Sequence, residues 1–206
     1  MLSDANQFVQ TVTKLHRETV ERWHDQEIDN LYDGLLHTVC QQHQFNFLLW
    51  HEEDIARSKH VTDTRIAQVK RAIDGYNQQR NDWIERIDDQ LLAMLTNCDI
   101  SMNPGASLNT ETPGSAIDRL SIMSLRIYHM HEQLDRTDTD EQHRQSVRAK
   151  LDLCYEQHMD LSSSLADLLT DIFAGSKQLK LYRQMKMYND PTLNPHLYGQ
   201  PLKKAG

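Results

Sequence analysis

The segment HQFNFLLWHEEDIAR, residues 43–57, sets His43, Asn46, Trp50, Glu53 and Arg57 at successive spacings of three, four, three and four. That is the period of a helix's inward stripe, where Leu, Ile and Val normally sit. The groups gathered there can do chemistry. His43 and Glu53 suit general acid and base work, Asn46 and Trp50 suit ligand recognition, and Arg57 suits an anion. A second stripe, Ile66, Val69, Ile73, Asn77, Arg80, Ile84, Ile87, Leu91 and Met94, is apolar except for an amide and a guanidinium at its centre. Ser124 and His131 interrupt a third stripe, and Cys154 and His158 a fourth. Breaking a buried ion pair costs about 3–5 kcal/mol, so Arg80 requires a carboxylate partner. Glu53 is the first candidate, Asp54 or Asp74 the next. Beside that seam, Asp74, Asn77, Asn81, Glu85 and Asp88 form a second polar band, either a pocket rim or solvated surface.

Three arrangements account for polar groups in these stripes. They form a satisfied hydrogen-bond network that fixes helix register. Or they line a pocket between helices, in which Arg57 and Arg80 hold an anion while Asn46 and Asn77 read hydroxyls or amides. Or His43, Glu53, His131 and His158 bind a metal. The residues name no cofactor, and the metal arrangement is the weakest: di-iron bundles use two Glu-x-x-His motifs, whereas Glu21-Arg-Trp-His24 stands alone here. His24-Asp25 is an HD doublet without matching ligands for a phosphohydrolase. Glu18-x-x-Glu21 and Glu85-x-x-Asp88 lie too far apart for a helical nucleotide pyrophosphohydrolase. No HExxH, GxSxG or GxxxxGK[ST] occurs, which leaves the common metalloprotease, serine-hydrolase and P-loop mechanisms unsupported. Pro113 and Gly114 precede a helix start, where unpaired N–H groups favour an anion; Ser115 and Arg119 would assist there.

Five helices position these residues. They are expected from about Asp4 to Glu27, Asn30 to Lys59, Asp63 to Thr96, from near Ser115, and from after Thr139 to a stop at Gly175. Phe8, Val12, Leu15 and Trp23 form the first core stripe; Leu31, Leu35, Val39, Phe47 and Trp50 form the second. Ser115 with Asp118, and Thr139 with Gln142, read as capping pairs. Residues 97–114 lose periodicity and gather Asn, Pro, Gly, Ser and Thr, which predicts a loop, and no alternating strand pattern persists. The fold class is therefore all-α, a single-domain helical bundle over residues 1–175. Residues 176–206 form a basic, Pro-punctuated extension packed on it, with Lys177, Lys180, Arg183 and Lys186 on a short amphipathic helix. Tyr182, Tyr188, Tyr198, Leu193 and Leu197 make that extension too apolar for a free tail.

Composition bounds the rest. A chain of 206 residues can bury about 70% of its unfolded surface and needs no disulfide or metal staple. Residues 1–98 hold only Gly34 and Gly75, and all five Pro lie at or beyond residue 104, which favours long helices. Cys40, Cys98 and Cys154 are odd in number and far apart, which points to a reducing compartment. MLSDANQF shows no signal pattern and no apolar run approaches the ~18 residues of a membrane span, so a cytoplasmic location is expected. The net charge of −8 divides into +5 over residues 176–206 and −13 over the remainder. An acidic body of this kind argues against nucleic acid.

The segments HQFNFLLWHEEDIAR (43–57), KRAIDGYNQQRNDWIERID (70–88), ETPGSAIDRLSIMSLRIYHMHEQ (111–133) and KLYRQMKMYNDPTLNPHLY (180–198) resemble the bacterial domain of unknown function 4254 family. The resemblance implies a helical protein associated with gene neighbourhoods for envelope polysaccharide and glycosyltransferases, and it supplies no catalytic residues. Its signature coincides with His43, Asn46, Trp50, Glu53, Arg57, Asp74, Asn77, Arg80 and Asn81, with the TPGS helix start and with the basic tail. The resulting expectation is one composite site roofed by Arg183 and Lys186, in which Arg57, Arg80 and Lys186 face a sugar phosphate or nucleotide sugar. If the protein is an enzyme, His43 and Glu53 act there as acid and base. The rival expectation is an accessory protein whose polar network is architectural and which docks a glycosyltransferase. A bundle this apolar is also compatible with a homodimer.

Overall fold

A computed structural model describes residues 4–181, 183, 187 and 190–197. Five helices account for most of it: α1 Ala5–Asp25, α2 Gly34–Arg57, α3 Asp63–Asn97, α4 Pro113–Asp135 and α5 Glu141–Phe173. The chain is all-α, as the 3.6-residue periodicity requires. No described helix is long and apolar enough to cross a membrane. Short connections, residues 58–62 and 136–140, fold α2 against α3 and α4 against α5 as two hairpins. α4 is the central helix, touching each of the other four. Its buried face is correspondingly broad: Ala116, Ile117, Asp118, Leu120, Ser121, Ser124 and Leu125 all face protein.

Local chemistry sets the helix ends. Asp4, Thr62, Thr112 and Asp140 accept hydrogen bonds from Gln7, Arg65, Ser115 and His143 backbone N–H groups, capping α1, α3, α4 and α5. Two expected capping pairs are therefore displaced. Thr112 caps α4 a turn before Ser115, which frees Asp118 to point inward, and Asp140 replaces Thr139 at α5. The second helix begins at Gly34, not near Asn30, because the Asn30 side chain bonds Tyr32 N–H and the His37 carbonyl and holds the preceding segment extended. Leu31 consequently leaves the expected core stripe and is 74% exposed.

The main core joins Val12, Leu15, Trp23, Val39, Phe47, Ile87, Leu91, Ile117, Leu120, Leu165 and Leu169 from all five helices. α4 approaches α3 closely at its first turn, where Gly114 N–H donates to Asp88 Oδ1 at 2.7 Å. A Cβ on Gly114 would lie 2.7 Å from the Ile84 carbonyl oxygen and 2.9 Å from the Asp88 carboxyl. Only glycine fits there. Gly175 stops the last helix at φ +74° as expected, and its carbonyl accepts from Asn103 N–H.

After Gly175 the chain diverges from the expected amphipathic helix. Lys177–Gln178 (β2) pairs in parallel with Ser107–Leu108 (β1), a two-residue ladder inside the segment read as loop. Lys177 Nζ reaches Asn109 Oδ1 and Gln178 Nε2 the Ala106 carbonyl, so backbone and side chains both tie this segment to the 98–112 connection. Arg183 crosses to α3, bonding Glu85 and Asp89. Leu193 and Leu197, expected to pack, are about half exposed. Tyr182, Lys186, Tyr188 and Tyr198 lie outside the described residues.

Two outcomes follow from the α3–α4 contact. Gly114→Ala should destabilise the fold by about 1–3 kcal/mol through overpacking, read as a lower urea midpoint at constant slope. Burial raises the Asp88 carboxyl from 3.8 to about 6, against the opposing pull of the Thr112 hydroxyl and Gly114 N–H. A raised folded-state value stabilises the fold below pH 4, and that contribution is lost as pH rises through 6. The stability slope between pH 4 and 6 should therefore become more positive in Asp88→Asn than in the native protein; an unchanged slope would show that Asp88 does not contribute there.

Candidate functional site

Asp118, on the second turn of α4, is 4% exposed and faces α2 and α3. Its Oδ1 accepts from Gln42 Nε2 at 2.6 Å, Asn46 Nδ2 at 2.9 Å and Arg80 Nε at 2.7 Å, and its Oδ2 accepts from Arg80 Nη2. Gln42 and Asn46 are one turn apart on α2, as Asp118 and Ser121 are on α4, so the two stripes meet pairwise. Asn46 Nδ2 also donates to Ser121 Oγ at 2.8 Å, and His43 Nδ1 lies 2.6 Å from the same oxygen. The predicted buried pair of Arg80 exists, but its carboxylate is Asp118 and not Glu53, Asp54 or Asp74. The bidentate hydrogen bonds and charge of Asp118 raise the Arg80 guanidinium above its ordinary value, while burial opposes.

His43 lies deeper. It is fully buried among Ser121, the ring of His16 at 4.6 Å and the stacked indole of Trp23 at 5.3 Å. Burial pushes its imidazole down to about 3, so it is neutral at ordinary pH. His43 and Ser121 have the contact of a base and nucleophile, yet both are wholly enclosed and offer no approach to a substrate. Glu53 lies ten residues further along α2, about 15 Å at 1.5 Å per residue, on the surface against Arg57. The structure does not bring His43 and Glu53 together as an acid–base pair.

What it does bring together is a cleft of about 430 Å³ between α2, α3 and α4. Asn46, Trp50, Glu53 and Arg57 line it from α2, Asn77 and Arg80 from α3, and Ile122 and Leu125 from α4. Arg80 reaches it with a side chain 26% exposed. Nε and Nη2 are committed to Asp118, and Nη1 makes no hydrogen bond among the described residues. Arg57 sits at the mouth, 68% exposed, paired with Glu53 and Asp54 one turn back.

Other expected members lie elsewhere. Asp74 bonds Lys70 on the exposed side of α3, and Asn81 is half-buried outside the cleft lining. Arg119 pairs with Glu111 and lines a separate cavity of about 870 Å³ between α4 and α5. Ser115 serves the α4 cap. The helix start at Pro113 and Gly114, expected to seat a phosphate, already holds the Asp88 carboxylate. Arg183 is engaged by Glu85 and Asp89, whose carboxylates push its guanidinium upward. Lys186 falls outside the described residues. The four residues considered for a metal do not form a group with ligand atoms in mutual reach among the described residues: His43 binds Ser121, Glu53 binds Arg57, and His131, whose Nε2 meets Tyr155 Oη at 2.7 Å, lines with His158 a pocket shared by α1, α4 and α5.

The sequence reading missed Gln42, Ser121 and the role of Asp118. A signal was present: Asp118 lies one residue from Ile117 and two from Leu120 on the apolar stripe of α4, where a carboxylate needs a partner. Removing it by Asp118→Ala should cost about 3 kcal/mol, because half-buried Arg80 loses its counter-charge and the buried amides of Gln42 and Asn46 lose their acceptor. The Arg80→Met, Asp118→Leu double variant should recover the Arg80 share of that loss in urea denaturation, with Gln42 still lacking its acceptor; additive losses would show that the pair acts separately.

A family model described as "Protein of unknown function (DUF4254)" matches residues 36–181, and the chain belongs to that family. The matched stretch runs from α2 through β2 and contains every residue of the cleft and of the Asp118 network. No curated protein and no solved structure gives a significant match.

Proposed function

We propose that this DUF4254 protein binds a small anionic metabolite, a sugar phosphate in size and chemistry, in the cleft between α2, α3 and α4. The observation that carries the reading is Arg80, a guanidinium locked bidentately by a buried carboxylate, which lines a cleft beside an indole and whose Nη1 makes no hydrogen bond among the described residues. Two carboxylates on the lining, Glu53 and Asp54, face Arg57, while the Arg80 charge is already met by Asp118 from behind. An anion therefore gains from recruiting Arg57, whose solvent-exposed pairs are worth about 0–1 kcal/mol and are readily exchanged. Arg80 supplies a fixed donor, and Arg57 closes on the ligand from the mouth.

The remaining lining suits a hydroxylated body. Both Asn46 Nδ2 hydrogens go to Asp118 and Ser121, so its Oδ1 is available to accept from a hydroxyl, and Trp50 presents an apolar wall. At about 430 Å³ the cleft lies toward the small end of the ~300–1,000 Å³ range of ligand sites, which favours a sugar phosphate over a nucleotide sugar. A place in envelope-polysaccharide metabolism is part of the same proposal and rests on the family resemblance alone. Catalysis by His43 is not part of it.

Thermal shift and calorimetry against hexose phosphates, nucleotide sugars and the unphosphorylated sugars test this reading. A phosphorylated sugar should raise the melting temperature while its unphosphorylated counterpart does not. Arg57→Ala should weaken binding about 10-fold or more, the loss of one charge-assisted hydrogen bond, without lowering the stability of the free protein. Silence across the phosphorylated panel, or binding indifferent to Arg57→Ala and Arg80→Lys, overturns the pocket and favours the accessory protein that docks a glycosyltransferase.

A further inference from the structure

Behind Trp50, on the side away from the cleft lining, three imidazoles from three helices converge. His24 belongs to the last turn of α1, His51 to α2 and His129 to α4, and one ring nitrogen of each lies within 4.8 Å of the others. Among the described residues this is the one group of three or more His, Cys, Asp or Glu side chains so placed. None of the three lines the cleft.

Hydrogen bonding fixes which nitrogen of two rings is offered. His24 Nδ1 lies 2.7 Å from the Val20 carbonyl oxygen. A carbonyl only accepts, so Nδ1 carries the hydrogen and Nε2 keeps its lone pair. His129 Nδ1 lies 2.5 Å from Glu132 Oε2, with the same consequence. His24 Nε2 and His129 Nε2 are both shielded from solvent and have no hydrogen-bond partner. Nδ1–H held by a carbonyl or carboxylate, with Nε2 presented forward, is the pattern by which proteins orient metal-binding histidines.

The rings are also held in place before any ion arrives. Tyr128 stacks on His24 with centroids 4.1 Å apart, and Trp50 stacks on His129 at 4.7 Å and 7°. Phe47 packs its edge against His24 and His51.

We propose that His24, His51 and His129 together bind one divalent transition-metal ion, Zn²⁺ or an ion of similar nitrogen preference, with Glu132 orienting His129. Three imidazoles without a carboxylate ligand select such ions over Mg²⁺ and Ca²⁺. Zn–N bonds of about 2.0–2.1 Å place tetrahedral ligand nitrogens about 3.4 Å apart, so modest ring rotation closes the group. Three protein ligands leave a fourth position for water or a ligand atom, as in zinc sites that act on a bound group. The site does not depend on the sugar-phosphate reading, since Trp50 separates the two.

The test uses the untagged full chain, stripped with chelator and titrated with Zn²⁺ by calorimetry and with Co²⁺ by visible absorption. One equivalent of Zn²⁺ should bind, with Co²⁺ giving the intense d–d bands of a four-coordinate centre and perturbing tryptophan fluorescence through Trp50. Glu132→Gln, at a half-exposed position that leaves the core intact, should weaken affinity about 10- to 100-fold, the usual cost of losing such an orienting group. His51→Ala should abolish stoichiometric binding with unchanged far-ultraviolet circular dichroism, and His131→Ala should leave it unaltered. Absence of saturable binding of either ion to the native chain overturns the proposal, as does binding that survives both Glu132→Gln and His51→Ala.

Discussion

The Asp118 carboxylate is the group on which the rest of this bundle depends. It is buried on the central helix and is held by donors from two others: Gln42 and Asn46 on α2, and Arg80 on α3. Such a pair adds little over a well-packed apolar contact, because desolvation consumes most of the attraction. Its force lies in being all or none. Only one register of α2 and one of α3 against α4 satisfies every donor, and any slip strands a charge in the core. In this protein the polar stripe therefore selects among packings that an all-Leu seam would leave close in energy.

That constraint also creates the difference between the two arginines of the cleft. Arg80 is immobilised from behind by a carboxylate it cannot leave, whereas Arg57 is tied only to exposed neighbours on its own helix. A fixed donor on α3 and an exchangeable one on α2, both lining a small cavity, allow capture of an anion without first burying an unpaired charge. The same economy operates at the start of α4. The carboxylate of Asp88 fills the anion site that the first turn presents, and Gly114 lets the two helices come close enough for it.

Histidine is put to three uses at different depths. His16 and His43 are enclosed together, and burial drives both toward the neutral form, so they behave as core aromatics with a polar edge. His131, near the surface, bonds Tyr155. His24, His51 and His129 lie between these extremes, shielded enough to leave two ring nitrogens without partners. Trp50 forms a wall of the cleft on one side and stacks on His129 on the other, which makes it the partition between the two regions.

Much of this was legible in the chain itself. Apolar spacing, scarce glycine and the Gly175 stop defined the five helices, and polar residues inside the stripes marked Asn46, Asn77 and Arg80 as special. These are local properties, set by a 3.6-residue period and by backbone preferences within a few residues. Partnership is not local. Which carboxylate meets Arg80 depends on how α4 crosses α2 and α3, and Asp118 looked like a capping residue because its sequence neighbourhood suited that role equally well. His24, His51 and His129 are separated by 27 and 78 residues and share no motif. Only the packing of α1, α2 and α4 brings their rings together, and hydrogen bonds seen only in three dimensions decide which nitrogens remain free.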